Sequence, residues 1–254
     1  MTVHDTRHYF EQQGVCLVIP TYQNASTIVD VVERAMPFCA DIFVVDDGCT
    51  DDTVARLAAS HLPVTLVCHD RNRGKGAALR SGFAAARKRG FHVVITLDAD
   101  GQHYPEDLPC IATAMQAHRD AIITGNRHLQ ADNMPARNTF ANRFSNFWFT
   151  MQTARRLDDT QCGFRAYPLK RLPHLPAIVH RYEAELYLLV VAAWHNVKIY
   201  QTPIRVYYPP AAERVSHFRP FQDFARISVI NTLFCIAAII YGYPRMLLTH
   251  LFGR

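Results

Sequence analysis

Asp98-Ala99-Asp100 sets two carboxylates two positions apart, and in an extended segment that spacing turns both to the same side. Two hard oxygen ligands side by side suit Mg²⁺ or Mn²⁺, which bind one or two carboxylates and complete their shell with substrate phosphates and water. A second pair, Asp46-Asp47, stands before Gly48, as Asp100 stands before Gly101. A lone Asp after a strand is ordinarily a turn former or a helix cap. Two acid clusters, each ending an apolar run and each trailed by glycine, point instead to one shared anionic rim around a divalent cation.

The elements that must position these acids can be read in order. Gly14–Pro20, Asp41–Gly48, Val64–Cys68 and His92–Leu97 are short apolar runs bounded by turn residues, and read as buried strands. Between them, helices are expected from Asn24–Thr27 to Met36, from Thr50–Thr53 to Ser60, and from Gly76 to Arg89, where Gly90 stops the last. The βαβαβαβ order with apolar strands predicts an α/β fold, a mostly parallel sheet flanked by helices. In such sheets ligands bind outside the carboxyl ends of the strands. Both acid clusters fall there.

Asn72-Arg73-Gly74-Lys75-Gly76 has the look of a phosphate loop, but a Walker A motif needs Gly-x4-Gly-Lys-Ser/Thr, and here Lys75 is followed by Gly76 and Ala77. It reads as a turn into a helix N-terminus, with Lys75 either at a donor phosphate or a solvated loop charge.

Val18-Ile19-Pro20-Thr21-Tyr22, Val44-Val45-Asp46-Asp47-Gly48-Cys49-Thr50-Asp51 and Asn72-Arg73-Gly74-Lys75-Gly76-Ala77 together resemble family-two glycosyltransferases of the GT-A fold. Leu97–His103 with Pro105-Glu106-Asp107, then Gly163–Tyr167, Glu185 and Pro203–Val206, is similar to the dolichyl-phosphate mannosyltransferase-like, polyprenyl-phosphate branch. The resemblance implies a nucleotide-sugar donor, with Pro20, Thr21 and Tyr22 at the nucleotide pocket edge, Asp47 at the nucleoside and Asp46 beside it. It implies Asp98 near the ribose or sugar, Asp100 as principal metal ligand and Gln102 near metal and diphosphate. On the acceptor side it implies arginines and a serine around a lipid phosphate, for which Arg127, Arg143, Ser145 and Arg165 are the candidates. Cys49 departs from the family's usual Ser, and Asp158 and Asp159 compete for one family position.

A polyprenyl phosphate acceptor is already an anion and needs no general base, whereas a hydroxyl acceptor does. Glu183 and Glu185 could supply one, but in Tyr-Glu-Ala-Glu-Leu they read more readily as structural. Asn138–Phe149 alternates aromatic and polar groups and reads as an amphipathic helix, either packed on the core or offering a polar edge to an acceptor phosphate. The expected reaction is inverting, metal-dependent transfer of a hexose to a lipid-linked acceptor, with a hydroxyl acceptor or nucleotidyl transfer as alternatives. Nucleotidyltransferases carry an N-terminal Gly-rich loop with Arg, which Ile19–Gln23 lacks.

Composition narrows the class further. With 49% hydrophobic and 19% charged residues, the chain can bury a core, which excludes disorder. Seven cysteines without a CxxC pair exclude a zinc ribbon and read as reduced thiols. Of 27 basic residues only Lys75, Lys88, Lys170 and Lys198 are lysines. Arginine grips phosphate in two places, yet the arginines are scattered, which argues against a nucleic-acid partner. No secretory signal is expected in the first twenty residues.

Residues 1–13 are expected as a tail, 14–215 as the catalytic domain and 216–254 as a membrane-interface helical extension, with His217 and Arg219 candidates to close over substrate phosphates. Ile227–Pro244 holds no charged residue and Arg226 and Arg245 flank it. A spanning helix, an interfacial helix and a packed helix all fit that length, and the Tyr241–Tyr243 pair favours the interface. The expected location is cytoplasmic, peripheral or monotopic on the cytosolic face of a membrane.

Overall fold

The computed structural model describes residues 1–127, 136–208 and 220–252, and the side chains of 136–140 and 220–227 lie outside that description. Seven strands form one sheet: β1 (Val15–Thr21), β2 (Ile42–Asp46), β3 (Thr65–Cys68), β4 (Val93–Thr96), β5 (Ile122–Asn126), β6 (Arg165–Pro168) and β7 (Ile199–Pro203). Their order is β3-β2-β1-β4-β6-β5-β7. β1 pairs in parallel with β2 and β4, β2 with β3, and β5 with β7, while β6 runs antiparallel between β4 and β5. The mostly parallel α/β fold expected from the sequence is present.

Alternation along the buried strands builds two cores, one on each face of the sheet. Leu17, Ile19, Val44 and Ile95 pack with Phe10, Val31, Val32 and Ile111, from α1 (Val3–Gln13), α2 (Ile28–Ala35) and α5 (Leu108–Ala117). The intervening residues Cys16, Val18, Phe43, Val45 and Val94 pack with Leu79, Phe83, Leu188 and Leu189, from α4 (Lys75–Lys88) and α7 (Glu183–Trp194). Because every residue of β1 and β2 is buried, those strands read as continuous apolar runs. α3 (Thr53–Ala59) completes the first half, and α6 (Ala136–Thr153) lies against α7.

Residues 1–13 are not a tail. Thr2 and Asp5 form a reciprocal capping box that starts α1, and Gly14 ends it in the left-handed region at φ 61°. Phe10 is 1% exposed within the first core. The polar composition of the segment hides that single anchor.

At the other end, α8 (Pro220–Ala237), a π-helical turn over Ala238–Gly242 and α9 (Tyr243–Phe252) form one helical run. Asn231, 1% exposed, accepts from Gln152 Nε2 at 3.0 Å, and Tyr243 Oη donates to the Met151 carbonyl, which ties this run to α6. His217 and Arg219 lie outside the described residues.

Phe10→Ala is expected to lower unfolding free energy by about 3–5 kcal/mol, the usual cost of emptying a buried aromatic site, measured by urea denaturation. A change near zero would return residues 1–13 to the status of a tail.

Candidate active site

The register brings the acids to one rim. Thr21 at the end of β1 pairs with Asp46 at the end of β2, and Val18 pairs with Thr96 at the end of β4. β2 and β4 flank β1, so their carboxyl ends stand about 10 Å apart on the same edge of the sheet. Thr27 Oγ1 donates to the Ala99 carbonyl at 2.6 Å, which joins the Asp98–Asp100 loop to the start of α2.

Asp98 is the electrostatic hub. Lys75 Nζ, reaching from the N-terminus of α4, lies 2.7 Å from Asp98 Oδ1 and 3.0 Å from Glu185 Oε2. Burial raises the Asp98 pKa, but the Lys75 ammonium outweighs it and holds the carboxyl below its ordinary value. Burial likewise works against the charged Lys75, yet Asp98 and Glu185 outweigh it and hold its pKa above the usual lysine value. Gly163 lies against Asp98 so closely that a Cβ there would come 2.3 Å from Asp98 Oδ2. Glycine at that position lets the backbone cover the carboxylate.

Asp100 faces the opposite situation. It is exposed at the mouth of the recess, where the surrounding protein partly desolvates it, and this together with the Asp98 carboxylate raises its pKa to about 6. The Gln102 backbone N–H donates to Asp100 Oδ1 at 3.0 Å. Among the described residues no three His, Cys, Asp or Glu side chains gather as a closed metal cage. Two neighbouring carboxylates, one covered and one facing outward, do suit a Mg²⁺ or Mn²⁺ that takes its other ligands from a bound diphosphate and water. Gln102, expected near such a metal, contributes its backbone to the Asp100 turn.

The loop beyond these acids is pinned by charge. Arg34 grips Glu106 with Nε and Nη2, both at 2.8 Å, and Arg205 grips Asp107 through Nε at 2.9 Å and its backbone N–H at 2.6 Å. The Tyr104 ring lies near both guanidinium groups, 5.5 Å from Arg34 and 5.1 Å from Arg205. His103 is buried beside Phe164, and burial lowers its pKa to about 4, so it is a neutral ring at physiological pH.

Asp47 is placed differently from expectation. It is 3% exposed and accepts from His69 Nδ1 at 2.7 Å, Arg73 N–H at 2.9 Å and Gly74 N–H at 2.7 Å. Its carboxylate anchors the 72–76 turn from below. Gly74, at φ 94°, meets the His180 carbonyl from above, where a Cβ would come within 2.4 Å. That glycine serves close backbone approach, and the turn delivers Lys75 to Asp98. Asp46 accepts from Cys49 N–H at 2.7 Å and stabilises the turn after β2. Pro20 and Thr21 end β1 at this edge of the sheet and are buried, and the half-buried Tyr22 follows them.

The expected acceptor side also needs correction. Arg165 is fully buried; its guanidinium donates to the Tyr167 hydroxyl and to the Glu185 and Thr160 carbonyls. It braces β6 against α7 and cannot meet a lipid phosphate. Arg127 forms a two-pronged pair with Asp159, Nε at 2.7 Å and Nη2 at 3.0 Å. Of the two competing aspartates, Asp159 is the buried one; burial raises its pKa, but Arg127 outweighs that and brings it to about 2. Asn142 and the Cys162 N–H also donate to Asp159. Arg143 is exposed on α6, and the Ser145 hydroxyl accepts from Thr160 Oγ1 at 2.7 Å. Phe140, the first aromatic residue of the Asn138–Phe149 stretch, lies outside the described side chains.

Two residues named in the sequence take roles that it did not indicate. Glu185 holds Lys75, and Asp159 organises the Arg127 side of the site. Sequence spacing could have flagged Glu185 only through the fold, because 110 positions separate it from Lys75.

Asp47→Ala would leave the Arg73 and Gly74 N–H groups unpaired in a buried setting. The expected loss is about 2–4 kcal/mol of stability, read by chemical denaturation. A stability close to the parent would mean that Asp47 faces a ligand and does not hold the turn.

The family model described as Glycosyl transferase family 2 matches residues 16–169. Polyprenol monophosphomannose synthase of Mycolicibacterium smegmatis is 32% identical over 164 residues, 61% of this chain and 62% of that protein. Undecaprenyl-phosphate 4-deoxy-4-formamido-L-arabinose transferase of Sodalis glossinidius is 28% identical over 202 residues, 75% of this chain and 59% of that protein. The chain thus spans about six-tenths of the length of these two relatives. Glucosyl-3-phosphoglycerate synthase from Mycobacterium tuberculosis, solved with Mn²⁺, UDP-glucose and phosphoglyceric acid, superposes with a TM-score of 0.68 at 18% identity. That superposition covers 94% of this chain and 84% of the other, and it shows a shared GT-A fold. With the family pattern running through β1, β2, β4 and the acid-bearing loops between them, the chain belongs to glycosyl transferase family 2.

Proposed function

We propose that the protein transfers a hexose from a nucleotide-sugar to a polyprenyl phosphate, or another lipid-linked acceptor, with inversion at the anomeric carbon. The observation that carries this reading is Asp100: an exposed carboxylate, with a pKa raised to about 6 by partial burial and by Asp98, whose own charge is paired with Lys75. The donor's diphosphate would approach that rim with the nucleoside toward Pro20, Thr21 and Tyr22. Asp100, with Asp98 behind it, would hold the divalent cation. Bound there, Mg²⁺ or Mn²⁺ supplies charge neutralisation for the departing diphosphate. Lys75 stands within reach of the same charge while keeping Asp98 ionised.

The two relatives, a polyprenol monophosphomannose synthase and an undecaprenyl-phosphate formamido-arabinose transferase, favour a phosphate acceptor. An acceptor phosphate oxygen forms the new bond to the anomeric carbon as the bond to the diphosphate breaks, and no proton has to be removed. The chain's task is then positioning, for which exposed Arg143 and neighbouring Ser145 on α6 are the acceptor candidates. Arg127 would act through the Asp159 cluster that shapes this wall.

The reading places the protein on a membrane surface at the cytosolic face. Ser228–Phe252 is long and apolar enough to cross a bilayer by length and composition, and 11% of its most apolar window is buried. Its inner edge is committed to protein through Asn231 and Tyr243, while Ile239 and Ile240 are 68% and 74% exposed. A helix with one side on protein and the other bare suits the headgroup boundary.

Asp100→Ala is expected to abolish the rise in melting temperature that a nucleotide-sugar gives with Mn²⁺, and to cut transfer by about a hundredfold or more. Full turnover in that variant would refute the metal assignment. An acceptor panel comparing polyprenyl phosphates with polyprenyl and glycolipid alcohols separates the two acceptor classes, with turnover expected on phosphates alone. Replacing Ile239 and Ile240 by Ser should release the protein from phosphatidylcholine vesicles in flotation, since each buried CH₂ contributes about 0.8 kcal/mol; unchanged flotation would sink the membrane role of this helix.

A further inference from the structure

Away from the acid rim, a turn after β6 carries two adjacent cations, Lys170 and Arg171, both exposed. The turn is held from several directions. Its Leu169 N–H donates to the His92 carbonyl at 2.8 Å, and Arg171 N–H to the Pro168 carbonyl at 2.9 Å. From α4, Arg87 donates to the Leu169 carbonyl and Arg80 to the Pro176 carbonyl. Leu172 and Leu175 fasten the segment into the second core. The backbone beneath the two cations is therefore built into the fold.

A cavity of about 550 Å³ opens between this turn and α7, within the range of small-molecule sites. Lys170, Arg171 and His174 line one wall, and Tyr187 and His195 the other. Among the described residues no Asp or Glu lines it. Tyr187 and Val191 on α7 and His195, which caps it, recur every four positions and share one face. The result is a cleft with permanent positive charge on one side and amphipathic rings on the other.

The second wall is shared with the C-terminal helical run. His195 Nδ1 donates to the Val191 carbonyl at 2.9 Å, which leaves Nε2 as the acceptor for the Tyr241 hydroxyl at 3.2 Å. The Tyr187 ring lies 5.7 Å from Phe234, and Arg245 stands 5.8 Å from the Tyr241 ring. The cleft is thus fixed beside the stretch in which Ile239 and Ile240 stand bare.

We propose that this cleft binds the phosphate headgroup of an anionic phospholipid, as a second membrane contact beside the apolar helix. Lys170 and Arg171 would hold the phosphate, Arg171 with its planar fork, and the acyl chains would run toward Ile239 and Ile240. The inference rests on the membrane-surface reading above and adds a charge-selective element to it. Basic groups next to a membrane surface gain from anionic lipid within a Debye length, and salt weakens that gain.

The test uses the full chain in flotation with two vesicle types, phosphatidylcholine alone and an equal mixture with phosphatidylglycerol, at low and high salt. The parent protein is expected to bind the mixed vesicles about tenfold more tightly than the neutral ones at low salt. In Lys170→Ala/Arg171→Ala that gain should shrink to about twofold or less, while binding to neutral vesicles and the melting temperature stay at parent values. Both side chains are exposed, so loss of fold does not confound the variant. An anionic gain unchanged in the variant would overturn the cleft and leave the apolar helix standing. Absence of binding to either vesicle would overturn both readings together. A melting temperature raised by inorganic phosphate alone, and no longer raised in the variant, would overturn the lipid assignment in favour of a free-phosphate site.

Discussion

The ammonium of Lys75, shared between Asp98 and Glu185, is the interaction on which the site depends. Asp98, Asp100 and Glu185 converge near the end of β4, and one lysine pairs with two of the three. Asp98 stays ionised and inward, Glu185 stays bound to the helix face, and the unresolved excess appears at Asp100, whose pKa climbs. The imbalance concentrates at the one carboxylate that opens to solvent, where an arriving cation can relieve it.

Delivering Lys75 consumes much of the surrounding chemistry. The turn that carries it is held from β2 by Asp47, through the Arg73 and Gly74 N–H groups, and is capped from the other side by the His180 carbonyl. Asp46 similarly closes the turn after β2. The first acidic pair is therefore architectural in its visible contacts, and the second pair carries the charge that faces outward. A buried carboxylate bonded to two backbone donors is a costly group to misplace, which explains how a glycine-rich turn holds one geometry.

Much of the frame was legible in the sequence because continuous apolar strands and Ala-rich helices differ in period, and the first four strands and three helices fall where the pattern puts them. The position of the Asp98–Asp100 pair at a strand's carboxyl end follows from that pattern directly. Other features were hidden for identifiable reasons. Residues 3–13 are polar around a single anchor, Phe10, so nothing in their composition announces packing. Arg165 carries the same formal charge as any surface arginine, and only the antiparallel insertion of β6 between β4 and β5 places it inside. Lys75 and Glu185 meet through α4 and α7 packing on one sheet face, a contact that no local spacing encodes.

The two guanidinium forks around Tyr104 have a consequence for exchange between related chains. Arg34 comes from α2 and Arg205 from just past β7, yet they terminate on the adjacent Glu106 and Asp107, in the segment that follows Asp98 and Asp100. Transplanting residues 98–107 alone into a homologous scaffold would leave Glu106 and Asp107 without these donors, because Arg34 and Arg205 stay behind. The inheritable module is discontinuous in sequence: a decapeptide together with one residue from each of two remote elements.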